Sequence, residues 1–131
     1  MIKLRKADMG DAIHLFRWKN DPTVRKYAIK THDKIDWETH MKWCEKNLKK
    51  TQIITDGILP LGDIRIDNGE VAIKIDKRYR NQGIGTLALQ KIQEKLTAKI
   101  VEGNIPSMRL FIGAGFKPVS YRKGVYIFKR A

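Results

Sequence analysis

The chain has 131 residues, 42% apolar and 31% charged, with 27 Lys and Arg against 14 Asp and Glu. That balance describes one folded domain, residues 1–131, with a core of its own; it excludes a disordered polyelectrolyte and a two-domain enzyme. One cysteine, Cys44, excludes an internal disulfide, and no apolar stretch approaches the length of a membrane-spanning helix.

Taken in chain order, the basic start Met1 to Lys6 leads into no apolar signal region, so a cytoplasmic setting is expected. Ile2-Lys3-Leu4-Arg5 alternates as a strand does. Asp8 and Asp11 then open a helix carrying Ile13, Leu15, Phe16 and Trp18. Asn20-Asp21-Pro22 breaks it, and a short helix follows over residues 23–28. Asp36 is placed to cap a helix over residues 37–48. Trp37, Met41, Cys44 and Leu48 share one face of that helix, which makes Cys44 a packed thiol rather than a nucleophile. Residues 52–55 and 58–66 read as two strands around Asp56-Gly57, and Asp67-Asn68-Gly69 turns into a strand over residues 70–75.

Arg80-Asn81-Gln82-Gly83-Ile84-Gly85-Thr86 joins that strand to a run with helical spacing, Leu89, Ile92 and Leu96, which predicts a helix over residues 87–96. Two glycines let the backbone bend tightly and approach a ligand, so that several N–H groups converge. The helix adds its unpaired N-terminal donors, and such a turn suits a pyrophosphate. Gly83, Gly85 and Ala88 also spell G-x-G-x-x-A, with Glu102 about 20 residues on, the spacing of a dinucleotide site. In that fold the first glycine comes straight off the strand, whereas here Asp76 to Gln82 intervene, and the chain is too short for the parallel units required. Beyond the loop, residues 99–102 fit a short strand. Asn104 caps a helix with Pro106 in its first turn and Gly115 at its end, and residues 116–121 and 125–128 form a hairpin around Lys123-Gly124.

R-x-x-G-x-G after a strand and opening a helix resembles the acetyl-CoA pyrophosphate loop of the GNAT N-acetyltransferase superfamily. Asn104-Ile105-Pro106-Ser107-Met108-Arg109-Leu110-Phe111, continuing to Gly115-Phe116, is similar to that superfamily's N-x-x-(A/S)-x-x-L-Y-x-x-x-G-F stretch. The resemblance implies an α+β fold, a mixed and mostly antiparallel central sheet flanked by helices on both faces. It implies acetyl-CoA as cosubstrate, with no metal. The backbones of Ile73 and Ile75 would hold the acetyl and pantetheine portions, and Arg80, Asn81, Gln82, Gly83, Ile84, Gly85 and Thr86 the pyrophosphate. Asn104 and Ser107 would lie near the pantetheine or adenine. Phe111 takes the place of the tyrosine that protonates the departing thiolate, so Tyr126 or Tyr121 becomes the candidate acid, or water does the work. Glu70, at the start of the fourth strand, is the candidate base, with His14, His32 and His40 as alternatives.

Trp18-Lys19-Asn20-Asp21-Pro22-Thr23-Val24-Arg25 resembles the W-R-N-x-P-x-V-R signature of acetyltransferases of nucleotide-linked amino sugars, shared in part by ribosomal-protein N-terminal acetyltransferases. Trp18, Asn20 and His40 are therefore expected to contact the acceptor, against a plain reading of Trp18 as core. The net charge of +13 favours a small anionic amine over a basic peptide. Two other classes fit the same charge and loop: a basic nucleic-acid or ribosome-binding module, and a coenzyme-A-binding domain without turnover.

Overall fold

The structure is a computed structural model and describes residues 1–30 and 32–130. Seven strands form one sheet in the order β1-β2-β3-β4-β5-β7-β6. They are β1 (Lys3–Lys6), β2 (Thr51–Thr55), β3 (Pro60–Asp67), β4 (Glu70–Ile75), β5 (Leu96–Val101), β6 (Lys117–Arg122) and β7 (Val125–Arg130). Every neighbouring pair is antiparallel except β4 with β5. The helices are α1 (Ala12–Lys19), α2 (Pro22–Lys26), α3 (Trp37–Asn47), α4 (Ile84–Gln90) and α5 (Ile105–Gly113). The expected α+β architecture is found, and none of the helices among the described residues is long and apolar enough to cross a membrane.

Two faces follow from strand alternation. Ile53, Asp63 and Lys74 are cross-strand partners and share one face; Ile53 packs there on Leu15 and Trp18 of α1. Ile64 and Ile73 share the other face, within the main core that Ala88 and Leu89 of α4 and Phe111 of α5 complete. We call these the α1 face and the α4 face.

Turn and cap chemistry sets most boundaries. Asn68-Gly69 and Lys123-Gly124 both have two successive positive φ angles, the requirement of the tight hairpins they make. Asp36 accepts from the Thr39 N–H at 2.8 Å and starts α3.

The helix after the glycine loop differs from expectation. It starts at Ile84 and stops at Gln90, and Leu96 opens β5 instead of closing a helix. The cause lies forty residues away. The Arg130 guanidinium donates to the carbonyls of Leu89, Ile92 and Glu94, taking up acceptors that further helical turns would have used. Its central carbon lies 5.1 Å from the centre of the Phe116 ring, which holds it in place.

Candidate active site

The parallel strands β4 and β5 pair only at Glu70 and Thr97, with the Thr97 N–H donating to the Gly69 carbonyl at 2.8 Å. Beyond that point they diverge. The Asp76 N–H donates to the Leu61 carbonyl on the β3 side. In an antiparallel ladder alternate residues turn their backbone groups the same way, so Ala72 and Lys74 also face β3, and Val71, Ile73 and Ile75 face the gap towards β5. A row of strand donors and acceptors is thus left for an inserted chain. One is already used: Arg80 Nε donates to the Ile75 carbonyl at 2.9 Å.

The loop that follows is exposed at Asn81, Gln82 and Gly83. Asn81 has φ 63° and Gly83 φ 75°, two left-handed residues that turn the chain into α4. Helices α2, α3 and α5 start on side-chain caps from Asp21, Asp36 and Asn104; α4 starts on Gly83 with no side-chain cap. Its first N–H groups are therefore open to an anion.

The two glycines have different jobs. A Cβ on Gly83 would meet nothing within 4 Å, which leaves room for a ligand; a Cβ on Gly85 would lie 2.2 Å from Leu110 Cδ1. Gly85 is therefore required by packing between α4 and α5, whatever its backbone N–H meets. Thr86 serves the same joint, donating its hydroxyl to the Leu110 carbonyl at 3.0 Å. The Arg80 side chain also turns inward, 3.5 Å from Asp21 Oδ2 as well as on Ile75, instead of out to the loop mouth.

On α5, Asn104 Oδ1 accepts from the Ser107 N–H, so this pair acts as the helix cap. Phe111 is 3% exposed and packs edge-on against Phe116 at 5.0 Å, a core position that offers no surface to a cofactor and no donor. Phe111 was expected to lie where a cofactor contact falls, and its ring is packed in the core.

The candidate acid and base fall on opposite faces. Tyr126 pairs with Ile100 and shares the α4 face with Phe128, its ring 4.7 Å from that of Tyr121. Tyr121 donates to Glu102 Oε2 at 3.1 Å, and that bond raises its pKa. Glu70 lies on the α1 face at the closed end of the gap, its side chain 45% exposed and 3.3 Å from Lys99 Nζ.

The three residues expected to meet an acceptor have structural partners. Trp18 is buried and donates from Nε1 to Asp76 Oδ2 at 3.0 Å. Asp76 is held well below the carboxylate range, chiefly by the Arg78 guanidinium and also by Trp18. The Asn20 amide pairs with both backbone groups of Ile35, at 2.8 and 2.9 Å. His40 has no exposed surface; Nε2 lies 2.8 Å from the Ala12 carbonyl and the ring stacks on Trp43. Desolvation lowers its pKa, which keeps the imidazole neutral. Cys44 packs beside it, fully buried, and burial pushes its thiol up. Trp18, Asn20 and His40, expected at the acceptor, thus each have polar atoms paired within the protein, Trp18 and His40 buried and Asn20 half-buried.

Sequence reading missed Lys19. Its Nζ lies 3.3 Å from the Trp43 ring centre and 3.5 Å from His40 Nδ1. Burial, aided by the nearby Lys74, pulls the ammonium down to about 7. No local pattern marks a lysine for burial; only the packing of α1 on α3 does so.

No family model matches this sequence. An uncharacterized protein of Methanocaldococcus jannaschii is 26% identical over 135 aligned residues, covering 88% of this chain but 28% of that protein. The chain thus spans little more than a quarter of that relative's length. Among solved structures, a domain from the same organism superposes with a TM-score of 0.83 at 23% identity, covering 98% of this chain and 97% of that one. A GNAT-family acetyltransferase from Bacillus anthracis follows at 0.76 and 19%, covering 98% and 93%. The spermidine N-acetyltransferase of Vibrio cholerae, solved with CoA and spermine, gives 0.79 at 14%, covering 98% and 94%. The chain has the GNAT fold.

Proposed function

We propose that this protein is an acetyl-CoA-dependent N-acetyltransferase whose acceptor is a small anionic amine. The observation that carries this reading is the alignment of two unfilled backbone sites. The gap beside Ile73 and Ile75 runs towards the uncapped start of α4, which fits a chain of amides ending in a pyrophosphate. That several structures sharing the fold hold coenzyme A supports it.

The two faces support a division of roles. The glycine loop and α4 lie on the α4 face, so the coenzyme comes from that side and its thioester reaches the gap between β4 and β5. The acceptor amine must meet it from the α1 face. Its nitrogen attacks the thioester carbonyl, the C–N bond forms as the C–S bond breaks, and the amine proton leaves towards the α1 face. Glu70 is the carboxylate on that face at the gap, and Tyr126 the hydroxyl on the thiolate's side. An oxyanion at the carbonyl would find the strand N–H groups facing the gap.

Phe111 keeps a second reading in play, that of a coenzyme-A-binding domain without turnover, because the ring is buried and carries no donor. Thiol release from acetyl-CoA across a panel of amines separates the two. Transfer to an amine supports the enzyme; coenzyme A binding without thiol release on any amine would replace it with the binding domain.

A further inference from the structure

Three cations converge on the α1 face over β3 and β4 without enough carboxylates to balance them. Lys19 comes from the end of α1, Arg65 from β3 and Lys74 from β4. Lys74 Nζ lies 3.4 Å from Asp63 Oδ1, and Arg65 reaches Asp67 only at 3.9 Å. Among the described residues no carboxylate lies within ion-pair distance of Lys19. Lys19 and Arg65 both lie against Trp43, the Arg65 guanidinium carbon 5.8 Å from the ring centre.

A second observation falls in the same place. Among the described residues, the buried side-chain polar atoms left without a hydrogen-bond partner are Asp63 Oδ2 and Arg65 Nε. Asp63 is 1% exposed, so its free oxygen is desolvated and unpaired, a state folded proteins rarely leave unfilled. Arg65 Nε asks for an acceptor and Asp63 Oδ2 for a donor. The side chains of Lys74 and Arg65 remain 16% and 29% exposed, so the cluster opens to solvent. Lys74 also lies between Ile73 and Ile75 in sequence, next to the backbone assigned to the thioester.

We propose that Lys19, Lys74 and Arg65 form a subsite for an oxyanion of the acceptor, a phosphate monoester or carboxylate on a hydroxylated carbon frame. The anion takes the Arg65 and lysine donors, and a hydroxyl of the same ligand donates to Asp63 Oδ2. This rests on the acetyltransferase reading and names the part of the acceptor that it leaves open. The groups facing Lys19 are His40 and Cys44 from α3, Asp63 and Arg65 from β3, and Lys74 from β4. A bound anion raises the ammonium of Lys19 again, so binding takes up a proton near neutral pH.

The test has two arms. In the first, inorganic phosphate is titrated against the melting temperature of Gly83→Val and of the Gly83→Val, Lys19→Met double variant, so that the glycine loop cannot answer for the subsite. Phosphate should stabilise Gly83→Val, more at pH 6.5 than at pH 9, and leave the double variant unmoved. An equal phosphate shift in both, or none in Gly83→Val, overturns the proposal. In the second, acetyl transfer to glucosamine 6-phosphate and to glucosamine is compared. The parent should favour the phosphate ester by about 10–100-fold in kcat/KM, the worth of a charge-assisted contact, and Lys19→Met should lose that preference through KM with kcat kept. Equal use of both sugars by the parent overturns the subsite and keeps the enzyme. If neither is acetylated, the function assigned above is what fails, and the phosphate arm still decides the subsite.

Discussion

Arg80 donates from Nε to the Ile75 carbonyl at 2.9 Å while its Nη2 stands 3.5 Å from Asp21, so one side chain ties the glycine loop to the last residue of β4 and to the cap of α2. An arginine read from sequence as a phosphate contact is here the clasp that shapes the loop. Arg80→Met should therefore lower stability as well as coenzyme affinity, by about 1–2 kcal/mol, since the mostly buried Asp21 loses its cation. Thermal unfolding of the ligand-free variant checks this. An unchanged melting temperature with weakened coenzyme binding would mean that the side chain serves the ligand alone.

Gly85→Ala should destabilise the fold itself. The new Cβ would strike Leu110 Cδ1, and overpacking of this kind costs roughly 1–3 kcal/mol, partly offset by the better helix propensity of alanine. Chemical denaturation should show a lower midpoint with an unchanged slope. A variant as stable as the parent would show that Leu110 has room to move.

Lys19 governs a pH dependence whose direction is fixed. Its pKa in the fold is lowered from the ordinary lysine value to about 7. The unfolded chain therefore binds its proton over the whole interval between 7 and the unfolded value while the folded chain has lost it. The penalty is absent above the unfolded pKa, grows as pH falls through the interval, and is complete below 7. Lys19→Met should thus melt above the parent at pH 6–7, by about 3–6 °C if roughly 1 kcal/mol survives solvent screening, and the difference should vanish towards pH 10.5. A gap independent of pH would show that Lys19 is charged throughout, held by the Trp43 ring.

Much of this was legible in the sequence. Asn68-Gly69 and Lys123-Gly124 announce hairpins because their residues tolerate positive φ, and Asp36 and Asn104 announce helix starts because their side chains reach a free N–H. The end of α4 was not legible, because Gln90, Lys91 and Gln93 are good helix formers and the stop is imposed by Arg130 on β7. Nor were the fates of Trp18, Asn20 and His40. A tryptophan, an asparagine and a histidine suit an acceptor site and an internal hydrogen bond equally well, and the partners Asp76, Ile35 and Ala12 are too far away in sequence to be read from it.

Phe111→Tyr tests the position where the sequence departs from the superfamily pattern. With Phe111 packed edge-on against Phe116, a new hydroxyl enters the core. If it finds no partner there, the desolvation cost is about 1–3 kcal/mol. The variant should be less stable than the parent, with turnover at saturating acetyl-CoA unimproved. A rise in turnover of about 10²-fold or more would instead show that this ring reaches the thiolate in the bound state.

The central claim is that acetyl-CoA lies in the gap beyond Glu70 and Thr97 with its pyrophosphate on the uncapped start of α4, and calorimetric titration tests it most directly. The parent should bind one acetyl-CoA per chain with a dissociation constant of roughly 1–100 µM, within the usual range for a cosubstrate. Gly83→Val, whose added side chain meets no protein atom within 4 Å of its Cβ, should stay folded apart from about 1–2 kcal/mol of backbone strain and lose that binding by at least about 100-fold. A folded Gly83→Val protein that binds acetyl-CoA as tightly as the parent would contradict the account.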